Sequence, residues 1–306
     1  MSIFLYIFIV IAFVISNLFQ LFTTISVEAQ IITATFFILL VGVPHGSLDH
    51  ILIPKHTLNS KIKFYIFYLG LIVLNLLIWH YNQVLGLTLF LLISSYHFGE
   101  TQLFHLNLKK KLLAHFTYLI WGSCILFTFV FYNIAEFVDL SNVYSDTQNL
   151  LNHFDLDSLV YLFYFTNGLI GVLFVSFVLF FGVKPSVVIS ETFFLVVIHL
   201  SSFLFPLIIC FTLFFIVLHS LPSLSNQYNH FKSTNENFSL MKFILLMVPY
   251  SFVSVFFIIF ICFCSQMNYI DYSVPLISIV LISVITLPHC FIILNFNNSL
   301  TSSNSQ

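Results

Sequence analysis

The sequence predicts an all-α fold, a polytopic transmembrane helical bundle of about ten spans with both termini cytoplasmic. Three observations carry this. First, of 306 residues 60% are hydrophobic and 7% charged, against about 25% charged in an average soluble domain, so polar side chains are too few to coat a soluble globule. Second, the apolar residues come in runs of about twenty, the length that crosses a hydrocarbon core, not in the alternation of an outer-membrane barrel. Third, the lysines fall on alternate loops, as the positive-inside rule requires. The apolar and aromatic content also excludes a disordered chain. Nine lysines, no arginine and eleven acids form no basic patch, which argues against a nucleic-acid partner. A single integral-membrane domain over 1–306 is expected.

The spans follow in order. Span one, 3–22, has no positive n-region and no small-residue cleavage site, so it reads as a retained span, not a signal peptide. Span two, 30–53, is followed by Lys55, Lys61 and Lys63. Span three, 62–80, ends at Trp79-His80-Tyr81, an interfacial belt. Span four, 83–104, precedes Lys109, Lys110 and Lys111; span five is 112–132. The polar segment 133–157 holds no lysine and five acids: Glu136, Asp139, Asp146, Asp155 and Asp157. Span six, 158–182, precedes Lys184. Spans seven (187–203) and eight (206–221) are separated only by Ser201, Ser202 and Pro206, and one long kinked span is the alternative. The lysine alternation requires two, because Lys232 and Lys242 follow span eight. The second polar segment is 222–239, and spans nine and ten are 240–264 and 273–295. The five cysteines, Cys124, Cys210, Cys262, Cys264 and Cys290, lie in apolar stretches without zinc or redox spacing and read as small core residues.

The twelve histidines divide into two groups. His56, His105, His115, His153 and His230 sit in or beside polar segments, where exposure is expected, and His80 belongs to the interfacial belt. His199 in span seven reads as one side of a helix–helix hydrogen bond. The other group is His45 in span two, His97 in span four, His219 in span eight and His289 in span ten. These spans all run outside to inside, and each histidine falls about 12–16 residues in, roughly 20 Å deep at ~1.5 Å per residue. Four metal-bearing spans (30–53, 83–104, 206–221 and 273–295) thus deliver four imidazoles to one layer. An ionisable group at that depth is costly and points to a functional site. Imidazole is a borderline ligand for iron, copper, zinc or nickel. The bland reading is four separately hydrogen-bonded buried histidines; the shared depth favours one shared metal.

Local sequence adds possible supporting groups. In Gly42-Val43-Pro44-His45-Gly46-Ser47-Leu48-Asp49-His50, Pro44 removes a backbone donor and the glycines permit close helix approach. On a regular helix Asp49 lies at i+4 from His45 and could orient its imidazole, or pair with His50 or Lys55 at the inner surface. In Ser94-Ser95-Tyr96-His97-Phe98-Gly99-Glu100, Glu100 is one turn from His97, a candidate supporting acceptor or proton-handling group, or else an interfacial acid. Thr286-Leu287-Pro288-His289 repeats the Pro-His pair, and His219-Ser220-Leu221-Pro222 closes span eight.

PHGSLDH at 44–50, HFGE at 97–100, HSL at 219–221 and TLPH at 286–289, in that order and with long hydrophobic spacers, make the chain resemble the Brp/Blh family of integral-membrane β-carotene 15,15′-dioxygenases, which are associated with microbial rhodopsins. The likeness runs from about residue 30 to 295. It implies cleavage of β-carotene at its central double bond to two retinal molecules, using Fe(II) and O2, in a multi-pass protein of the bacterial inner membrane. A functional link to a rhodopsin is part of the same implication. The resemblance also implies that His45, His97 and His219 are iron ligands. The family's H-S-x-x-H motif would place a fourth histidine where this chain has Ser223, preceded by Pro222. His289 could complete the site; otherwise three histidines and a water hold the metal, or iron binding is impaired. His50, at i+5 from His45, points about 140° away on a regular helix. Because β-carotene dissolves in the bilayer, lateral entry into a tunnel of aromatic and aliphatic side chains is expected. The rival reading is a non-catalytic carotenoid- or retinal-binding membrane protein that has lost a full iron site. Haem ligation by two of the histidines is a third possibility. A di-iron desaturase is disfavoured, since no H-x-x-x-H or H-x-x-H-H box is present.

Overall fold

The computed structural model describes residues 2–21, 25–52, 57–108 and 110–303, so Lys55, His56 and Lys109 lie outside the described residues. Among the described residues there is no strand. The α-helices are α1 (Ile3–Leu21), α2 (Val27–Phe37), α3 (Asp49–Leu52), α4 (Leu58–Tyr81), α5 (Gln83–Leu103), α6 (Lys111–Tyr132), α7 (Ile134–Ser141), α8 (Ser145–Leu151), α9 (Leu156–Phe180), α10 (Pro185–Leu204), α11 (Leu207–Leu213), α12 (Leu221–Thr234), α13 (Leu240–Gln266) and α14 (Val274–Ser303). Two π-helical segments, Ile38–Gly42 and Phe214–Ser220, and a 3-10 turn, Pro44–Gly46, are inserted between them.

Among the described residues eight segments are long and apolar enough to cross a membrane: Val27–Leu52, Leu58–Tyr81, Lys111–Tyr132, Leu156–Phe180, Pro185–Leu204, Leu207–Thr234, Leu240–Gln266 and Val274–Asn297. The other two predicted spans are also helical. The apolar part of α1 is shorter, Ile3–Leu18. The 21-residue α5 carries Ser94, Ser95, His97, Glu100, Thr101 and Gln102, which dilute its hydropathy.

Side chains at the ends set where helices begin. Ser26, Thr57, Asp155 and Ser239 accept from backbone amides at the starts of α2, α4, α9 and α13, satisfying donors that have no partner inside the helix. The end of α9 is a left-handed Gly182 (φ +67°), with the Val183 amide returning to the Phe177 carbonyl; a side chain would strain this turn.

The structure separates the seventh and eighth spans. Phe205 is extended (φ −119°, ψ 150°) before Pro206, as a residue preceding proline prefers. Three expectations need correction. The eighth span does not close at Pro222: α12 continues to Thr234, and the wider π turn just ahead of the proline accommodates its missing amide. The polar segments 133–157 and 222–239 are not loops throughout but hold α7, α8 and α12. Span two is not one regular helix, since π, 3-10 and turn geometry separate α2 from α3.

The chain forms two compact units. The first is Met1–His45, Ser95–Leu140 and Phe154–Asn226. Here α6 packs on α9 and α10, and α1 on the second π segment. Trp121, Phe8, Phe129, Phe177, Ile125 and Ile198 fill its core. Its α5 and α6 touch backbone to backbone: a Cβ on Gly99 would come 1.8 Å from the Tyr118 carbonyl oxygen, and one on Gly122 1.7 Å from that of Ser95. The second unit is Gly46–Ser94, Ser141–His153 and Gln227–Gln306. Its α14 packs against α4, α13, α8 and α3. Asn75 and the Trp79 indole of α4 donate to Ser283 of α14 at 3.0–3.2 Å, polar glue between apolar helices.

Candidate metal centre

His45, His97 and His219 come together in the first unit. His45 sits in the 3-10 turn because the first π segment ends at Gly42, with the Val43 amide reaching back to Ile38 across 2.8 Å, and Pro44 then contributes no donor. The two π segments meet at Gly42, where a Cβ would lie 2.7 Å from a ring carbon of Phe215. His219 is carried by the second π segment and His97 by α5. Single-turn π insertions occur often at functional sites, because they turn a side chain out of α-helical register. The His219 ring centroid lies 5.3 Å from that of His45 and 4.9 Å from that of His97, with interplanar angles of 81° and 80°. The three are 8%, 2% and 4% exposed, too buried for bulk water to satisfy them.

Neighbouring groups set the tautomers. The His45 Nδ1–H donates to the Gly42 carbonyl, so Nε2 carries the lone pair. Thr101 spends its one hydroxyl proton on the carbonyls of His97 and Phe98 (2.9 and 3.1 Å). Toward His219 Nδ1, 3.4 Å away, its oxygen therefore accepts, and His219 also presents an Nε2 lone pair. Phe98 and Phe215 pack around these rings, with centroids 4.8 and 5.6 Å from that of His219. Glu100, one turn beyond His97, is 1% exposed.

In the second unit, His289 on α14 is 3% exposed and its Nδ1 is 2.8 Å from Asp49 Oδ1. The Tyr68 hydroxyl donates to the other oxygen of Asp49 at 3.2 Å. Asp49 thus engages His289, a partner not considered from sequence; Lys55, one of those that were, lies outside the described residues, and the regular helix assumed from 45 to 49 is a 3-10 turn followed by a turn into α3. The His50 ring instead lies 4.0 Å from that of Tyr250. A Cβ on Gly46 would come 3.4 Å from His289 Nδ1. Ser223 lies on α12, one turn past His219. The sequence reading missed Thr101 and Tyr68. Thr101 was findable as a hydroxyl at i+4 from His97, whereas nothing local marks Tyr68.

The remaining histidines are placed elsewhere. His199 Nε2 donates to Asn167 across 2.9 Å, the helix–helix bond expected of it. His115 pairs with the Tyr96 hydroxyl at 2.7 Å, and His105 lies 3.5 Å from Glu191. No disulfide joins any of the five cysteines.

The donor set fits a borderline divalent metal. Buried imidazoles, two with Nδ1 engaged so that Nε2 would be the donor atom, are the arrangement in which neutral histidine binds metal. No thiolate stands among them to favour zinc or copper(I).

A family model described as Beta-carotene 15,15'-dioxygenase matches residues 36–297. No curated protein and no solved structure matches the chain.

Proposed function

Since the chain belongs to the beta-carotene 15,15'-dioxygenase family, we propose that it cleaves β-carotene at its central double bond with O2, giving two retinal molecules, at an iron(II) held by His45, His97, His219 and His289. The atoms balance: one dioxygen supplies one oxygen to each aldehyde. The observation that carries the reading is the trio of buried imidazoles on three separate elements of the first unit, with the His219 ring centroid 5.3 Å from that of His45 and 4.9 Å from that of His97. His289 is proposed as the fourth ligand in place of the histidine that Ser223 replaces. Its support is its depth and Pro-His motif in the sequence and the Asp49 carboxylate on its Nδ1, the usual arrangement behind a metal-bound histidine.

Bound iron(II) would supply the binding and activation of dioxygen that the protein's own side chains lack. The chain's residues do the rest. Gly42 and Thr101 hold two imidazoles in the tautomer that offers Nε2. Asp49, steadied by Tyr68, does the same for His289. Phe98 and Phe215 exclude water from the imidazoles and give an apolar surface suited to a polyene. Glu100 remains a supporting acceptor or proton-handling group beside His97. The substrate has no charge to anchor, so it enters from the bilayer and is placed by the shape of its path, which selects the bond by position.

We also place the protein in a bacterial inner membrane with ten spans, adding α1 and α5 to the eight apolar segments, with both termini cytoplasmic. The alternation of lysines supports this. A link to a retinal-using rhodopsin belongs to the same proposal.

The test is expression in carotene-producing cells. Retinal should accumulate with the wild-type chain and not with His45→Ala or His97→Ala, and full activity in either variant would remove the metal argument. Ser223 favours a second reading, a carotenoid-binding protein without cleavage. Purified protein carrying intact carotenoid and less than stoichiometric iron would select it.

A further inference from the structure

Away from the histidine trio, the first unit contains a groove of about 570 Å³ between α9 and α10, a volume in the range of small-molecule sites. Its walls are apolar, from Ile170 and Phe174 to Leu179 on α9 and from Val188 to Val196 on α10. One end is polar: Asn167 and His199 close it. These two are joined at 2.9 Å, with Cys124 donating to the same Asn167 oxygen at 3.3 Å and the Tyr132 hydroxyl 3.3 Å from the other His199 nitrogen. The groove follows α9 from 167 to 179, about 18 Å at ~1.5 Å per residue.

Depth selects the occupant. Asn167 lies near the middle of the 25-residue α9, far from either head-group layer, yet both Asn167 and His199 are only partly buried. A polar pair facing hydrocarbon is costly. A phospholipid places its polar atoms at the interface and only methylenes at this depth, so it offers no acceptor to the second N–H of Asn167. A long apolar molecule with one oxygen at its end matches both features. Asn167 can receive such an oxygen: its amide has two N–H groups, and one is used on the Phe163 carbonyl at 2.9 Å. Gly171 widens the wall, since a Cβ there would meet no heavy atom within 4 Å.

We propose that this groove is a binding site for a C20 polyene aldehyde, with its carbonyl oxygen on the second N–H of Asn167 and its polyene running along α9 toward Leu179. The identity of the aldehyde as retinal, the reaction's own product, rests on the function proposed above. The site would hold a released product in the membrane-facing wall, apart from the histidines.

The groove has a built-in reporter. The Trp121 ring lies 5.7 Å from that of Phe174, tilted by 37°; Phe174 lines the groove, and the only other tryptophan is Trp79. Full-length Trp79→Phe protein in nanodiscs is titrated with all-trans-retinal while Trp121 emission is followed. Saturable quenching is expected. Asn167→Leu should weaken it about tenfold, as the loss of one buried hydrogen bond implies. Gly171→Leu should weaken it at least as much, by filling the groove where space is open. A polyene hydrocarbon of equal length should bind as weakly to the parent as retinal does to Asn167→Leu. Equal quenching in both variants, equal quenching by palmitate, or a shift to dimers that occupies the same face would overturn the proposal. The reaction is read separately. His45→Ala protein that binds retinal but forms none leaves the groove standing on its own, and active wild-type protein without saturable retinal binding removes the groove and leaves the reaction.

Discussion

His289 and Asp49, 240 positions apart in the chain, are joined by a 2.8 Å hydrogen bond with both side chains almost wholly buried. The carboxylate fixes the imidazole with Nδ1–H toward Asp49, which leaves Nε2 as the atom that would coordinate the proposed iron. Asp49→Asn keeps the shape but loses the charge and the preferred acceptor. We expect iron affinity to fall about 10–100-fold with the fold intact, as for other groups that orient a ligand histidine. Metal titration of the purified protein, alongside a melting curve, checks this. Tyr68→Phe should produce a smaller change in the same direction.

Thr101 makes the equivalent arrangement for His219 from a hydroxyl. Thr101→Val removes the acceptor at nearly constant volume, and Thr101→Ser restores it. Iron affinity should drop roughly tenfold in the valine variant and recover in the serine variant. A valine variant with unchanged affinity would show that Thr101 only caps its own helix.

Ser223 stands one turn beyond His219 on a helix continuous from Leu207 to Thr234. If position 223 is where a fourth ligand once sat, Ser223→His should return part of the iron content lost in His289→Ala. The measurement is metal per protein in the single and double variants. No recovery would mean that the second π segment turns position 223 away from the imidazoles.

The glycines separate into two classes. Gly99→Ala and Gly122→Ala each force a Cβ into a carbonyl of the facing helix, and overpacking of this kind costs about 1–3 kcal/mol or more. Folded yield and thermal stability should fall for both. Gly168→Ala meets nothing within 4 Å and should be neutral or stabilising by about 0.5–1 kcal/mol, the ordinary gain of alanine over glycine inside a helix. Thermal unfolding in one detergent compares all three.

Most helices could be read from the chain because an apolar run of span length can do little else in a membrane. Pro206 marked the break between α10 and α11 for a local steric reason. The histidines His45, His97 and His219 were legible from depth and motif together. The Asp49–His289 bond was not, since it joins residues whose proximity depends on how α3 and α14 pack. The π segments were also hidden: Ile38–Gly42 and Phe214–Ser220 are composed of residues that serve equally well in an α-helix. The short helices α7 and α8 were missed because polar composition reads as loop where a helix needs only a turn or two.

The π segment before His219 has a consequence for the genetics of this chain. A π turn is an α-helix carrying one surplus residue. Its wider winding takes up that residue, so losing one residue between Phe214 and Leu218 as the turn relaxes to an α-helix would leave His219 facing almost as before, whereas losing one from the regular α11 would swing it by about 100° about the axis. A one-codon deletion in Leu207–Leu213 should therefore do more harm than one within the π segment.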